Sequence, residues 1–334
     1  MPDLEAFGAI IKQGTRAIIL THDYPDPDCL ASAWGLQYLL VEKFGISAVI
    51  CFGGFIARAE NRAMVELLRI ETVATTDLNR EQFDLWLMVD TQPGTGNSSF
   101  DPERPLDVII DHHPLFKEGP AAYYADIRSD VGATSTIITD YLVAYNMDIT
   151  PNLATGLFLG VKTDTRGLGR SASELDHQYY LHLFELADHQ LLARIENPEL
   201  KPGYFRTLVQ APARAKVYGP VVVSHLPDVD VPESVAEMTD LLVRLTDVNL
   251  ALCTGVFRGM MSLSVRIRRP DASGDAGELA RKLVAGLGTA GGHELMSGGQ
   301  IDLTGRNPDE VADLIRKRLL EQMGLEKEEG RPIW

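Results

Sequence analysis

Carboxylates and imidazoles stand in this sequence where short apolar runs end. His22-Asp23-Tyr24-Pro25-Asp26-Pro27-Asp28 follows Arg16–Thr21, Asp90 ends the run Leu85–Val89, and Asp111-His112-His113 follows Val108–Ile110. A further carboxylate, Asp164, ends a helical pattern in Val161-Lys162-Thr163-Asp164-Thr165. Ligands of open parallel sheets bind outside the carboxyl ends of the strands, so three of these groups are expected at one crevice. Carboxylates gathered there would repel one another without cations. Oxygen and imidazole donors with no thiolate favour Mn²⁺, with Mg²⁺, Co²⁺ and Fe²⁺ as the other candidates. Plainer readings compete: Asp28 caps the helix after it, Asp90 caps a turn, and Asp164 sits on a surface turn. Two adjacent histidines behind a carboxylate are harder to explain as packing, and Asp111 could orient one of them. Cys29 adjoins the first motif and is expected to pack in the helix as a small apolar residue.

The elements that position these groups read as α/β. Arg16–Thr21, Ala48–Phe52, Leu85–Val89 and Val108–Ile110 are expected strands, with helices over Cys29–Phe44 and Ala59–Ile70. Continuous apolar strands separated by helices imply a parallel sheet covered on both faces. Helices are expected over Gly132–Tyr145, Asn152–Lys162 and Leu175–Leu192, and the Pro-, Gly- and charge-rich stretch Asn197–Tyr204 reads as a linker. Beyond it, a strand at Val221–Val223, two strands in 251–267 around Arg258-Gly259, and helices over Gly277–Leu287 and Pro308–Gln322 suggest a smaller α+β domain. The expected division is a first domain over 1–195, a linker over 196–206 and a second domain over 207–330.

Composition narrows the classes. Of 334 residues, 45% are hydrophobic and 23% charged, which suits a globular chain with room for two cores. No apolar run is long enough to cross a bilayer, and the start MPDLEAFGAIIKQGTR lacks a basic leader with an apolar core, so a cytoplasmic protein with no membrane partner is expected. Cys29, Cys51 and Cys253 form no CxxC pair, which gives a thiolate zinc site no support and fits a reducing compartment. The net charge of −16 offers no basic stripe for long duplex nucleic acid, so a nucleic-acid substrate is expected to be short. A homodimer stays open.

His22-x-x-x-Asp26-x-Asp28, Asp90-Thr91, Asp111-His112-His113 and Asp164-Thr165, in that order over about the first half, resemble the four motifs of the DHH phosphoesterase superfamily. The resemblance implies one cation held by His22, Asp26 and Asp90, and a second held by Asp28, Asp90, His112 and Asp164. It implies His113 on the substrate phosphate and Asp111 supporting its neighbouring histidine, so that His113, Asp90 and Asp111 form the catalytic group. Gly291-Gly292-His293 resembles the glycine-rich motif of the DHH-associated substrate domain found in RecJ-like exonucleases and nanoRNases. Ser264 and Arg266 resemble strand residues of that domain which meet the substrate, and the plainer reading of Gly291–His293 is a turn. Two stretches depart from the pattern: Met296-Ser297-Gly298-Gly299 after His293, and Arg166–Arg170 after Asp164-Thr165. The activity implied is metal-dependent hydrolysis of short oligoribonucleotides or linear dinucleotides to mononucleotides, with phosphoadenosine phosphate as a further substrate. A polyphosphatase or pyrophosphatase is the alternative enzyme, and a nucleotide-binding sensor the alternative of another class.

Overall fold

The computed structural model describes residues 2–334 apart from 57, 76–79, 96, 100–105, 117–121, 171, 270–273 and 294. The described chain divides into two units, Met1–Pro198 and Glu199–Trp334.

The first unit runs α1 (Leu4–Ile11), β1 (Arg16–Leu20), α2 (Pro27–Phe44), β2 (Ser47–Phe52), α3 (Ala59–Leu68), β3 (Thr72–Ala74), β4 (Leu85–Val89), β5 (Leu106–Asp111) and β6 (Ala122–Ile127). Four helices follow: α4 (Thr134–Ala144), α5 (Pro151–Asp164), α6 (Glu174–Leu186) and α7 (His189–Glu196). All six strands are parallel, in the order β3-β2-β1-β4-β5-β6. The chain therefore winds outward from β1 to β3 and starts again at β4. β1 and β4 lie side by side where the order reverses, the place where such sheets open a crevice.

Alternation along the strands divides the core. Ala17 and Ile19 of β1 and Leu85, Leu87 and Val89 of β4 pack with residues of all seven helices. Ile18, Leu20, Cys51, Trp86, Met88 and Ile109 face the other way, with Phe83. Both faces are buried, but among the described residues no helix contributes to the second. The sequence implies a sheet covered by helices on both faces, yet the described parts of the β4–β5 and β5–β6 crossovers carry no helix. The helix expected over Leu175–Leu192 is two helices. Asp188 ends the first by capping the second, accepting from the Gln190 and Leu191 N–H groups.

The second unit begins inside the expected linker, because Pro202 opens a helix. Its elements are α8 (Pro202–Arg214), β7 (Lys216–Tyr218), β8 (Val221–Leu226), α9 (Ser234–Leu242), β9 (Leu250–Phe257), β10 (Met260–Ile267), α10 (Ala276–Val284), β11 (Gly288–His293), β12 (Met296–Asp302), α11 (Pro308–Gln322) and β13 (Arg331–Pro332). They form a seven-stranded sheet in the order β11-β12-β10-β9-β8-β7-β13, with β8 and β9 parallel and the other pairs antiparallel. α10 and α11 cover one face, and α8 and α9 the other. The two strands expected around Arg258-Gly259 are β9 and β10, and Arg258 (φ 48°) and Gly259 (φ 80°) make the tight turn between them.

Candidate metal centre

The loops after β1, β4 and β5 bring the predicted groups together at the reversal point. Asp90, 2% exposed, lies between two imidazoles: its Oδ2 is 3.5 Å from His22 Nε2 and its Oδ1 3.6 Å from His112 Nε2. Asp26 Oδ1 is 3.9 Å from His22 Nε2, and Asp164 Oδ2 is 3.2 Å from His112 Nε2. Donor atoms of Asp28, His112 and Asp164 lie within 4.8 Å of one another, as do those of His22, Cys29 and Asp90, and those of Asp90, His112 and His113.

The imidazoles are turned for ligation. His22 Nδ1 meets the Asp23 carbonyl at 2.8 Å, and His112 Nδ1 meets the Val131 carbonyl at 3.3 Å. A carbonyl only accepts, so each Nδ1 carries the hydrogen and each Nε2 turns its lone pair toward the carboxylates. His112 Nε2 is buried and makes no hydrogen bond of good geometry. A lone pair among carboxylates is unfavourable unless a proton or a cation lies between them, so this donor set fits divalent metal. Without metal, the proton takes that place. Burial opposes protonation of His112, but Asp164, with Asp90 and Asp28 behind it, lifts its pKa to about 10. His22 is likewise raised against the cost of burial, by Cys29, Asp26 and Asp90. Burial, with Asp90 and Asp164 nearby, raises Asp28, and burial lifts Asp164 to about 6.

Asp26 is the residue that caps α2, accepting from the Cys29 N–H at 3.0 Å. Asp28 meets another helix: its two oxygens accept the Thr134 and Ser135 N–H groups at 2.7 and 2.8 Å, at the start of α4. The positive end of α4 thus offsets part of a buried charge. The Thr134 hydroxyl donates to Asp90 Oδ1 at 2.8 Å. Asp90 itself has φ 59°, a left-handed conformation costly for a residue with a Cβ. Asp111 holds His113 and not His112, through a 2.9 Å contact with His113 Nδ1. Gln92, which the sequence reading missed, donates to Asp111 Oδ2 at 2.7 Å and to the His113 and Pro114 carbonyls, and accepts the Phe116 N–H. Its position two residues after Asp90 was the available signal.

Cys29 does not behave as expected. It is fully buried but belongs to none of the four apolar clusters; its thiol faces His22 and Asp90 instead. In the second unit, Ser264 and Arg266 share one face of β10. Arg266 is held by Asp240 at 2.5 Å, by Ser264 Oγ at 3.1 Å and by the Val265 and Ser297 carbonyls. Gly291, Gly292 and His293 are not a turn but the end of edge strand β11, paired with Gly298, Ser297 and Met296. The side chain of His293 lies outside the described residues. Gly292, at φ 136°, sits so close to Ser297 that a Cβ has no room.

Residues 16–161 match the DHH family, N-terminal domain. An uncharacterised protein of Methanocaldococcus jannaschii is 30% identical over 322 residues; the match covers 93% of this chain and 65% of that protein, so the chain spans just under two thirds of its relative's length. An exopolyphosphatase-related protein from Bacteroides fragilis is similar in fold over 97% of both chains, with a TM-score of 0.75 at 16% identity. RecJ from Thermus thermophilus, solved with Mn²⁺, is similar over 96% of this chain and 54% of its own, with a TM-score of 0.53 at 15% identity. Residues 16–161 thus match the N-terminal domain of the DHH family, and the carboxylates and imidazoles of its motifs come together at one sheet edge.

Proposed function

We propose that the protein is a two-metal phosphoesterase acting on short oligoribonucleotides or linear dinucleotides, and on phosphoadenosine phosphate. The observation that carries the chemistry is Asp90, buried between the lone pairs of His22 and His112 with further carboxylates behind each. His22, Asp26 and Asp90 would hold one divalent cation, and Asp28, Asp90, His112 and Asp164 a second. Bound cations lower the pKa of water and neutralise charge on a phosphoryl group. Oxygen-rich ligation of the second site suits Mn²⁺.

The chain's own residues do the rest. Asp111 takes the Nδ1 hydrogen of His113 and fixes a ring that is 40% exposed at the mouth of the site. Burial opposes protonation of His113, but Asp111 and Asp90 raise its pKa, which favours a ring that can donate to a phosphate oxygen. Gln92 keeps the Asp111–Phe116 loop in place, and the α4 N-terminus with Thr134 orients Asp28 and Asp90. The preference for short substrates rests on the net charge of −16, which gives a long strand no electrostatic path. The name of the Bacteroides fragilis protein favours polyphosphate as the second reading.

A substrate panel decides. Chelator-treated protein should be inactive and regain activity with Mn²⁺. It should then cleave an RNA dinucleotide faster than a long single strand, phosphoadenosine phosphate measurably, and pyrophosphate and polyphosphate slowly. Full activity in excess chelator would remove the metal mechanism. Faster release of phosphate from polyphosphate would establish the second reading, and binding of nucleotide with no turnover the sensor reading.

A further inference from the structure

We propose that Cys29 gives the first cation site a sulfur donor, so that the site takes a borderline cation such as Zn²⁺, Co²⁺ or Fe²⁺ in preference to Mn²⁺. The inference rests on the two-metal reading above and concerns what one of the two sites is made of.

Three observations converge on it. The sulfur of Cys29, a ring nitrogen of His22 and a carboxylate oxygen of Asp90 lie within 4.8 Å of one another, the spacing of donors around a single ion. Asp90 is buried, with only 2% of its side chain exposed, and its Oδ2 lies on the His22 side of the carboxylate, 3.5 Å from His22 Nε2. Finally, Cys29 is fully buried yet absent from the apolar clusters that take in Leu30, Ala31 and Ala33 beside it.

The local backbone explains the aim of the thiol. Asp26 caps α2 by accepting the Cys29 N–H, which fixes Cys29 in the first turn of the helix. From that turn Asp28 reaches the start of α4, Leu30 enters the core, and Cys29 points at the His22 ring. The side chain is one bond from a rigid helix, so little freedom is lost when the sulfur binds an ion. Sulfur donors select softer cations than carboxylate and imidazole alone, and a coordinating thiol gives up its proton to solvent. The two sites then differ: a mixed N, O, S set around His22, Asp26, Asp90 and Cys29, and a harder N, O set around His112, Asp28, Asp90 and Asp164.

Cobalt substitution of the full chain tests this. Wild type titrated with Co²⁺ should bind two ions and develop a near-ultraviolet sulfur-to-cobalt charge-transfer band with one of them. Cys29→Ser should still bind two Co²⁺ but lose the band, and its affinity for Zn²⁺ should fall on the order of tenfold or more while that for Mn²⁺ changes much less. Cys29→Ala serves as the second variant, since a small apolar group suits a buried position, and it should give the same spectrum. Two bound Co²⁺ with no band in wild type, or a band that survives in either variant, would overturn the assignment. Cys51 and Cys253, which lie in apolar clusters, would then be its source in the latter case. Failure of wild type to bind two ions would instead count against the two-metal reading itself.

Discussion

Asp90 concentrates the conflict between stability and chemistry in one residue. It is buried, carries charge, takes a left-handed backbone, and faces Asp28 and Asp164 across the site. A hydroxyl from Thr134 and two imidazoles offset that arrangement only in part. Replacing it with glycine removes the charge and relieves a backbone strain of about 1 kcal/mol. Asp90→Gly should therefore raise the melting temperature of the metal-free protein, while turnover drops roughly a thousandfold or more, several kcal/mol of transition-state stabilisation. Calorimetry beside steady-state kinetics checks both halves. A variant that melts lower than wild type without metal would show that Asp90 is held comfortably, and near-normal turnover would remove it from the chemistry.

At the scale of elements, the site depends on α4 as much as on the strands that carry the ligands. Its first turn gives two N–H groups to Asp28 and a hydroxyl to Asp90, and Val131 just before it receives the His112 Nδ1 hydrogen. Asp176 secures that entry, accepting the Gly132 N–H at 2.8 Å and the Thr136 hydroxyl at 2.5 Å while closing a capping box with Ser173 at the start of α6. Thr134→Val keeps the shape and the backbone donors but loses the hydroxyl, so the Mn²⁺ needed for half-maximal activity should rise on the order of ten- to a hundredfold, as for other groups that orient a ligand. Unchanged metal dependence would make the Thr134 contact incidental. None of this was legible in the sequence, where Gly132–Tyr145 showed only a helical pattern. Strands that end in a ligand were legible because an apolar run stops at a charge, and Leu85–Val89 matches β4 residue for residue. Three features hid for physical reasons. The α6–α7 break lies inside an unbroken apolar period. The Pro202 that opens α8 stands in a stretch whose composition resembles a linker. β11 is rich in glycine, so it has few side chains to show the two-residue period. Spacing alone does not show which way a residue in a first helical turn points, so the sequence suggests packing for the Cys29 thiol.

The whole molecule carries 47 acidic residues against 31 basic ones, and its metal centre adds a local excess of the same sign. That excess sets opposite pH responses for the metal-free and loaded forms. Without metal, His112 has its pKa lifted from 6.5 to about 10, so the folded state binds a proton that the unfolded chain releases over that interval. The stabilisation is complete below the unfolded value and disappears as pH rises through the folded one. Asp164, lifted from 3.8 to about 6, acts in the same direction: it penalises folding above that value and ceases to do so as it gains a proton. Asp26 opposes only at the acid end, because its pKa is lowered from 3.8, chiefly by His22 against the cost of burial. The metal-free protein should therefore melt progressively higher as pH falls from about 9 to about 6. Cations reverse the slope, because they need His22 and His112 with open lone pairs and carboxylates without protons, so falling pH weakens binding and removes the stability that binding contributes. Melting curves across this range, with chelated protein and with saturating Mn²⁺, should converge toward acid and separate toward alkali. Parallel curves would mean that the cations do not occupy the places the protons leave, and that the carboxylates around His112 are held apart by something other than charge.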